Sequence, residues 1–309
     1  MSLEQPACNY CGRNDAVILY GARDHLYGMD PREFRVVRCS CGLVYLSPRP
    51  VRADLPRAYP ADYFWNGFDV VPVEGPLQAA WNVWATQLVR RRVGYLRRAM
   101  RGLSGPVLDV GCGRGLFLRE LQRATGWEVH GVELQEGNVR FLSDEHPEVR
   151  VHQADFLDWP GPVGGFAALT MWHLLEHLPD PRAALQKARE HLAPGGVLVL
   201  GTQNFDALSR RIMKERWTLN DVPRHLYHFT EGTVRRHLEA EGFQVSWVSH
   251  VTEFFPTLGA HLFAERILDE QRRVRPLRGL LANLLGSPVE AVAVAMRRGC
   301  VMTLAARKV

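Results

Sequence analysis

Val107-Leu-Asp-Val-Gly-Cys-Gly-Arg-Gly-Leu-Phe117 is a buried-strand run that ends in an acid and breaks into alternating glycines. Glycines at a strand-to-helix turn let the backbone approach a ligand closely and turn with φ positive. The pattern is D-x-G-x-G-x-G, whereas a nicotinamide-binding turn asks for G-x-G-x-x-G. Asp109 is badly placed for a pyrophosphate, because a carboxylate repels an anion and attracts an ammonium group. A ligand with an amino group and no pyrophosphate fits the loop, and S-adenosylmethionine is such a ligand.

Two more strand ends carry acids. Glu128–Leu134 reads as a second strand ending at Glu133, the place where a ribose diol is gripped. Val149–Phe156 reads as a third, with Asp155 set to bond an adenine amino group and Phe156 to stack beside it. Singly, each acid reads equally as a solvated strand end or a helix cap. Together, beside this loop, they suit a neutral nucleoside with a cationic tail.

On these residues the chain resembles the class I S-adenosylmethionine-dependent methyltransferases. The resemblance covers about residues 105 to 250 and extends to Thr170-Met-Trp-His-Leu-Leu-Glu-His-Leu-Pro-Asp-Pro181 and Leu192-Ala-Pro-Gly-Gly-Val-Leu-Val-Leu200. It implies an α/β fold: a Rossmann-like sheet of seven strands with an antiparallel last strand. It also implies that Asp109, Gly111 and Gly113 face the methionine part of the cofactor and that Glu133, with Leu134 beside it, faces the ribose. Asp155 and Phe156 would then meet the adenine, with Trp172 and His173 at the end of the fourth strand.

Outside the core, Cys8-Asn-Tyr-Cys11-Gly and Cys39-Ser-Cys41-Gly form two knuckles, leaving Cys112 and Cys300 isolated. Paired thiolates with a glycine after each pair form a closed tetrahedral zinc site, so a structural zinc at Cys8, Cys11, Cys39 and Cys41 is expected. Free thiols or two disulfides are the alternatives. Residues 1–48 are read as the ribbon, with strands at Ala16–Tyr20 and Phe34–Arg38. Residues 49–104 are an aromatic linker and a helix, and 105–309 the methyltransferase domain with a helical insertion at about 254–298. In the linker, Tyr59-Pro-Ala-Asp-Tyr-Phe-Trp65 is either packing or a lid that brings Tyr63 over the cofactor. A ribbon, an aromatic linker and this core are also similar to the layout of bacterial sugar C-methyltransferases, although their characteristic carboxy-terminal domain is not found.

Composition excludes little. Hydrophobic residues make up 46%, and Lys plus Arg exceed Asp plus Glu by 38 − 33 = 5. That mild basic bias demands neither nucleic acid nor lipid. The amino terminus lacks the apolar core of a signal peptide and no apolar run reaches 18 residues, so a cytoplasmic protein is expected. The arginine-rich insertion makes peripheral membrane contact possible.

Methyl transfer from a sulfonium needs alignment and, for many acceptors, removal of a proton. His177 and His225 are the expected acceptor-side bases, with Glu176 orienting an imidazole. Arg224, Tyr227 and Asn204 are read as further polar contacts to the acceptor. A small-molecule acceptor, methylated on oxygen or carbon, is expected. An RNA methyltransferase held by ribbon and arginines is the second reading, without a base-methylating Asn-Pro-Pro-Tyr-type motif to favour it, so nucleic acid is not expected as a partner. A cofactor-binding protein without turnover is the third.

Overall fold

The computed structural model describes residues 1–25, 27–60, 77–251 and 288–309, with backbone alone over 77–85. Tyr63 and most of the expected insertion lie outside these residues.

The decisive stretch is a strand, β6 (Val107–Val110), buried at all four positions as the apolar run requires. It feeds through the glycine turn into helix α2 (Leu116–Thr125). Strand β7 (Val129–Glu133) and helix α3 (Glu136–Glu145) follow, then β8 (Arg150–Gln153), β9 (Phe166–Trp172) and helix α4 (Pro181–His191). Next come β10 (Leu192–Gln203), helix α5 (Leu208–Met213), the short β11 (Tyr227–His228), helix α6 (Glu231–Ala240), β12 (Phe243–Val251) and β13 (Val301–Lys308). Seven of these strands form one sheet in the order β12-β13-β10-β9-β6-β7-β8. β6, β7, β8, β9 and β10 pair in parallel, while β13 runs antiparallel between β10 and β12. The expected seven-stranded sheet with an antiparallel last strand is therefore present. The third strand is shorter than expected, ending at Gln153, so Asp155 and Phe156 lie in the loop beyond it.

Helix α1 (Leu77–Ala99) lays Val89, Val93 and Leu96 onto one face of the sheet, against Phe117, Leu118 and Trp172. α4 and α6 cover the other face through Ala184, Leu185, Val234 and Leu238. α4 starts where Asp180 caps it, the carboxylate accepting from the Ala183 N–H. α6 starts at a reciprocal Thr230–Thr233 capping box. Of the expected insertion, the described part shows a helical stretch over 288–295.

The first fifty residues contribute β1 (Leu3–Glu4), β2 (Val17–Arg23), β3 (Glu33–Arg38), β4 (Val44–Leu46) and β5 (Arg49–Pro50). β2, β3 and β4 form a meander whose fourth strand is β11, taken from the segment after the fifth core strand. Tyr227 pairs with Tyr45 and His228 with Val44. Cys8, Cys39, Leu43 and Tyr45 share one apolar core with Leu198, Leu200 and Met302 of the main sheet. The cysteine-bearing segment is thus built into the sheet-covering layer and shares its hydrophobic core with it.

Candidate functional site

The glycine turn has the backbone its sequence demands. Gly111, Gly113 and Gly115 take φ of +69°, +54° and +71°. A Cβ on Gly111 would lie 3.0 Å from the Leu174 side chain, and one on Gly115 would lie 2.4 Å from Leu142. The turn is braced from the next strand: the Gly113 N–H donates to Glu133 Oε2 at 2.8 Å, and the Gln135 N–H donates to Oε1 at 2.8 Å. Burial pushes the Glu133 carboxyl up, against these backbone donors. Leu134 beside it is exposed. Asp109 sits below the turn, buried, and accepts from the Thr170 hydroxyl of β9. Burial raises its carboxyl to about 7, although Thr170 and the charge of Arg92 act the other way. Cys112 is buried with its thiol pushed well up, chiefly by burial, which suits a packing residue and not a nucleophile.

Several expected contacts are corrected by the packing. Asp155 is engaged: its Oδ2 accepts from Arg52 at 2.6 Å and its Oδ1 accepts from the Leu157 N–H at 2.9 Å. Phe156 is not an open stacking face, because its ring is buried in the core 6.0 Å from that of His191. Trp172 packs edge-on to Phe117 at 5.4 Å, with the Arg92 guanidinium 4.9 Å above its ring. Asn204 is structural: buried, it donates to the Gly299 carbonyl and accepts from the Asp206 N–H. Tyr227 donates to the Pro179 carbonyl and accepts from Arg49, so it is closed to an acceptor.

Arg224 is also spent within the protein. Fully buried, it gives a two-pronged contact to Asp24, Nη1 to Oδ2 at 2.9 Å and Nη2 to Oδ1 at 2.7 Å, while its Nε meets Asp221 at 2.8 Å. No local motif signals a pair 200 positions apart. With the Leu46 N–H donating to Leu226 and the Leu226 N–H donating to Glu176, it fixes residues 224–228 between β4 and the turn after β9.

That lacing gathers the expected acceptor-side residues. His173, the residue after β9, has φ of +52°, uncommon for a side-chain-bearing residue, and its N–H donates to Gly201. The chain then makes a short 3₁₀ turn, Leu175–His177. Glu176, His177 and His225 converge, each offering a ligand atom within 4.8 Å of the others. The His177 and His225 rings meet edge to face with centroids 4.5 Å apart. His225 Nδ1 lies 2.8 Å from the Leu219 carbonyl, and His177 Nδ1 lies 3.1 Å from that of Arg224 and 3.0 Å from the Tyr59 hydroxyl. A carbonyl only accepts, so both imidazoles carry their proton on Nδ1 and keep the Nε2 lone pair. Glu176 is fully buried and neither carboxylate oxygen has a hydrogen-bond partner. Burial would raise its carboxyl, but His173, then His225 and His177, hold it at about 2. Tyr59 and His228 belong to this neighbourhood, and no signal in the sequence placed Tyr59 here.

Burial lowers His177 to about 4 and His228 to about 3. A folded value below the ordinary 6.5 means that the unfolded chain takes up the proton first, so stability is lost as pH falls from about 6.5. Between pH 7 and 5 each such histidine removes roughly 1–2 kcal/mol. Asp109, with its raised value, opposes this trend, and Glu176 loses its contribution progressively as pH falls from about 4.5 to about 2. The difference between the wild type and His228→Leu isolates one imidazole. The urea midpoint of the variant is expected to fall less steeply on acidification, and parallel pH profiles would contradict this.

In the amino-terminal segment the four cysteines come together as spaced. Cys8 and Cys41 Sγ are 3.5 Å apart, Cys11 and Cys39 Sγ 3.4 Å, and all four lie within 4.8 Å of one another. None is in a disulfide. A set of four sulfurs in this compass is chemically that of a closed tetrahedral zinc site.

Residues 84–246 match the family described as a methyltransferase domain. The chain belongs to the class I S-adenosylmethionine-dependent methyltransferases. Among curated relatives of this methyltransferase, the ubiquinone biosynthesis O-methyltransferase of Psychrobacter cryohalolentis is 36% identical over 135 residues, 39% of this chain and 51% of that protein. The protein of the same description from Psychrobacter arcticus is 33% identical over 156 residues, 47% and 60% of the two chains. The methyltransferase chain thus spans half to three fifths of the length of these relatives. Two solved structures share its fold. The [4+2]-cyclase SpnF has a TM-score of 0.50 at 21% identity, covering 71% of this chain and 80% of that one. A SAM-dependent methyltransferase from Archaeoglobus fulgidus has a TM-score of 0.50 at 20% identity, covering 72% and 94%. Among the described residues no helix is long and apolar enough to cross a membrane.

Proposed function

We propose that the protein transfers a methyl group from S-adenosylmethionine to a small-molecule acceptor that loses a proton from oxygen or from an activated carbon. The carrying observation is the pairing of the positive-φ glycine turn, braced by Glu133, with converging imidazoles after β9. Bound at the turn, S-adenosylmethionine supplies an electrophilic methyl and its own leaving group. Asp109, Gly111 and Gly113 would hold the methionine end, Glu133 and Leu134 the ribose side. His173 would join them from the end of β9, its backbone tied to Gly201 and its ring 3.5 Å from Glu176. His177 and His225, each with a free lone-pair nitrogen, would take the acceptor proton, and the buried Glu176 would steady the imidazolium that results.

The relatives described as O-methyltransferases support an oxygen acceptor. Nucleic acid is less well supported, because arginines of α1 are engaged within the protein: Arg90 on Glu120, Arg92 over Trp172 and Arg98 over Trp247. Zinc would occupy the four cysteines of residues 1–48. Its role is to stiffen the segment that holds β11, and through it His225 and His228.

Calorimetry tests the cofactor half. S-adenosylmethionine is expected to bind, and Gly111→Val or Glu133→Ala to weaken it at least about tenfold, roughly 1.4 kcal/mol. Preference for a nicotinamide nucleotide would overturn the assignment.

A further inference from the structure

We infer that Glu176, His177 and His225 form a second metal site, distinct from the cysteines, for a divalent first-row transition ion. Glu176 carries the inference. A carboxylate buried completely, with neither oxygen in a close hydrogen bond and His173 Nδ1 no nearer than 3.5 Å, is a costly arrangement that a cation relieves. Its two neighbours present the form that metals take. Each holds its Nδ1 proton toward a backbone carbonyl, Leu219 for His225 and Arg224 for His177, leaving Nε2 to coordinate. Such outer hydrogen bonds fix tautomer and ring orientation in metal-ligating histidines. Asp221 Oδ2, at 3.9 Å from His225 Nε2, is too far to hydrogen-bond it.

Two imidazoles and one carboxylate suit zinc, iron or cobalt rather than magnesium or calcium. The three ligand atoms, within 4.8 Å of one another, would draw in to roughly 3.4 Å for bonds of about 2.0–2.1 Å. Three protein ligands leave a coordination position open. An oxygen of the acceptor placed there would have its acidity raised, the chemistry that a Lewis-acidic ion supplies; with both Nε2 lone pairs taken by the ion, the proton would pass to solvent water, and the two imidazoles would act as ligands in place of acting as bases. The acceptor class is then one that offers a hydroxyl or enol oxygen.

Elemental analysis of the full-length protein after loading with zinc and dialysis counts the sites. Two equivalents are expected. Cys11→Ser/Cys39→Ser should keep one, and Glu176→Gln and His225→Ala should each keep only the other. With zinc left on the thiolates, cobalt added to the remaining site should show weak visible bands without sulfur charge transfer and nitrogen couplings in its paramagnetic spectrum. A wild type that holds one equivalent, all of it lost in the cysteine double variant, overturns the site, as does a folded Glu176→Gln protein that keeps two. The wild-type count needs no variant to fold. It also needs no acceptor, so a protein that holds two ions and methylates nothing would refute the methyl-transfer reading alone.

Discussion

His177→Gln is expected to lower turnover by about 10²–10⁴-fold, the usual loss when a positioned proton acceptor is removed. Glutamine is the informative replacement because its amide can still donate to the Arg224 carbonyl, as the His177 Nδ1–H does at 3.1 Å. Backbone support is then retained while the Nε2 lone pair is lost. Cofactor affinity should change little, since the glycine turn is braced separately by Glu133. His225→Gln should behave alike, keeping its contact to Leu219. Kinetics with saturating cofactor, set beside melting and calorimetry, separate the cases. Near-normal turnover in both folded variants would remove the two imidazoles from the chemistry and leave alignment alone to account for it.

Arg224→Met should destabilise the protein by about 3–5 kcal/mol, because it strands two buried carboxylates, Asp24 and Asp221, without their cation. The loss comes from uncompensated charge, so Arg224→Met/Asp24→Asn is expected to recover part of it. Denaturant unfolding at fixed pH measures both. A loss under about 1 kcal/mol would mean that water or other donors already satisfy the aspartates, and the tie between the cysteine segment and the histidine loop would be weaker than drawn.

What the sequence made legible is what short-range chemistry controls. The glycine turn, its acid and the strand–helix alternation follow from periodicity and φ requirements, and the seven-stranded sheet with its antiparallel last strand followed from the family resemblance they carry. The cysteine knuckles and the Glu176–His177 pair were readable for the same reason: residue type and spacing carry the information. Long-range pairing was not readable. Arg224 looked like an acceptor contact because nothing near it announces Asp24. Asp155 looked free because Arg52, its partner, lies in a separate segment. Phe156 and Trp172 were assigned to the ligand by position along a strand, whereas the helices packed on each face decided which rings were covered. The cysteine segment read as a separate module because β11, a two-residue strand, is too short to leave a pattern.

The central claim is methyl transfer to a small molecule, and one measurement meets it most directly. The protein is incubated with S-adenosylmethionine deuterated at its methyl group and with cell extract, and the small-molecule and nucleic-acid fractions are read by mass spectrometry. The expected result is a labelled small molecule formed in step with S-adenosylhomocysteine, and lost with Glu133→Ala and with His177→Gln. Label confined to RNA, or bound cofactor with no label transferred to any fraction, would contradict the account.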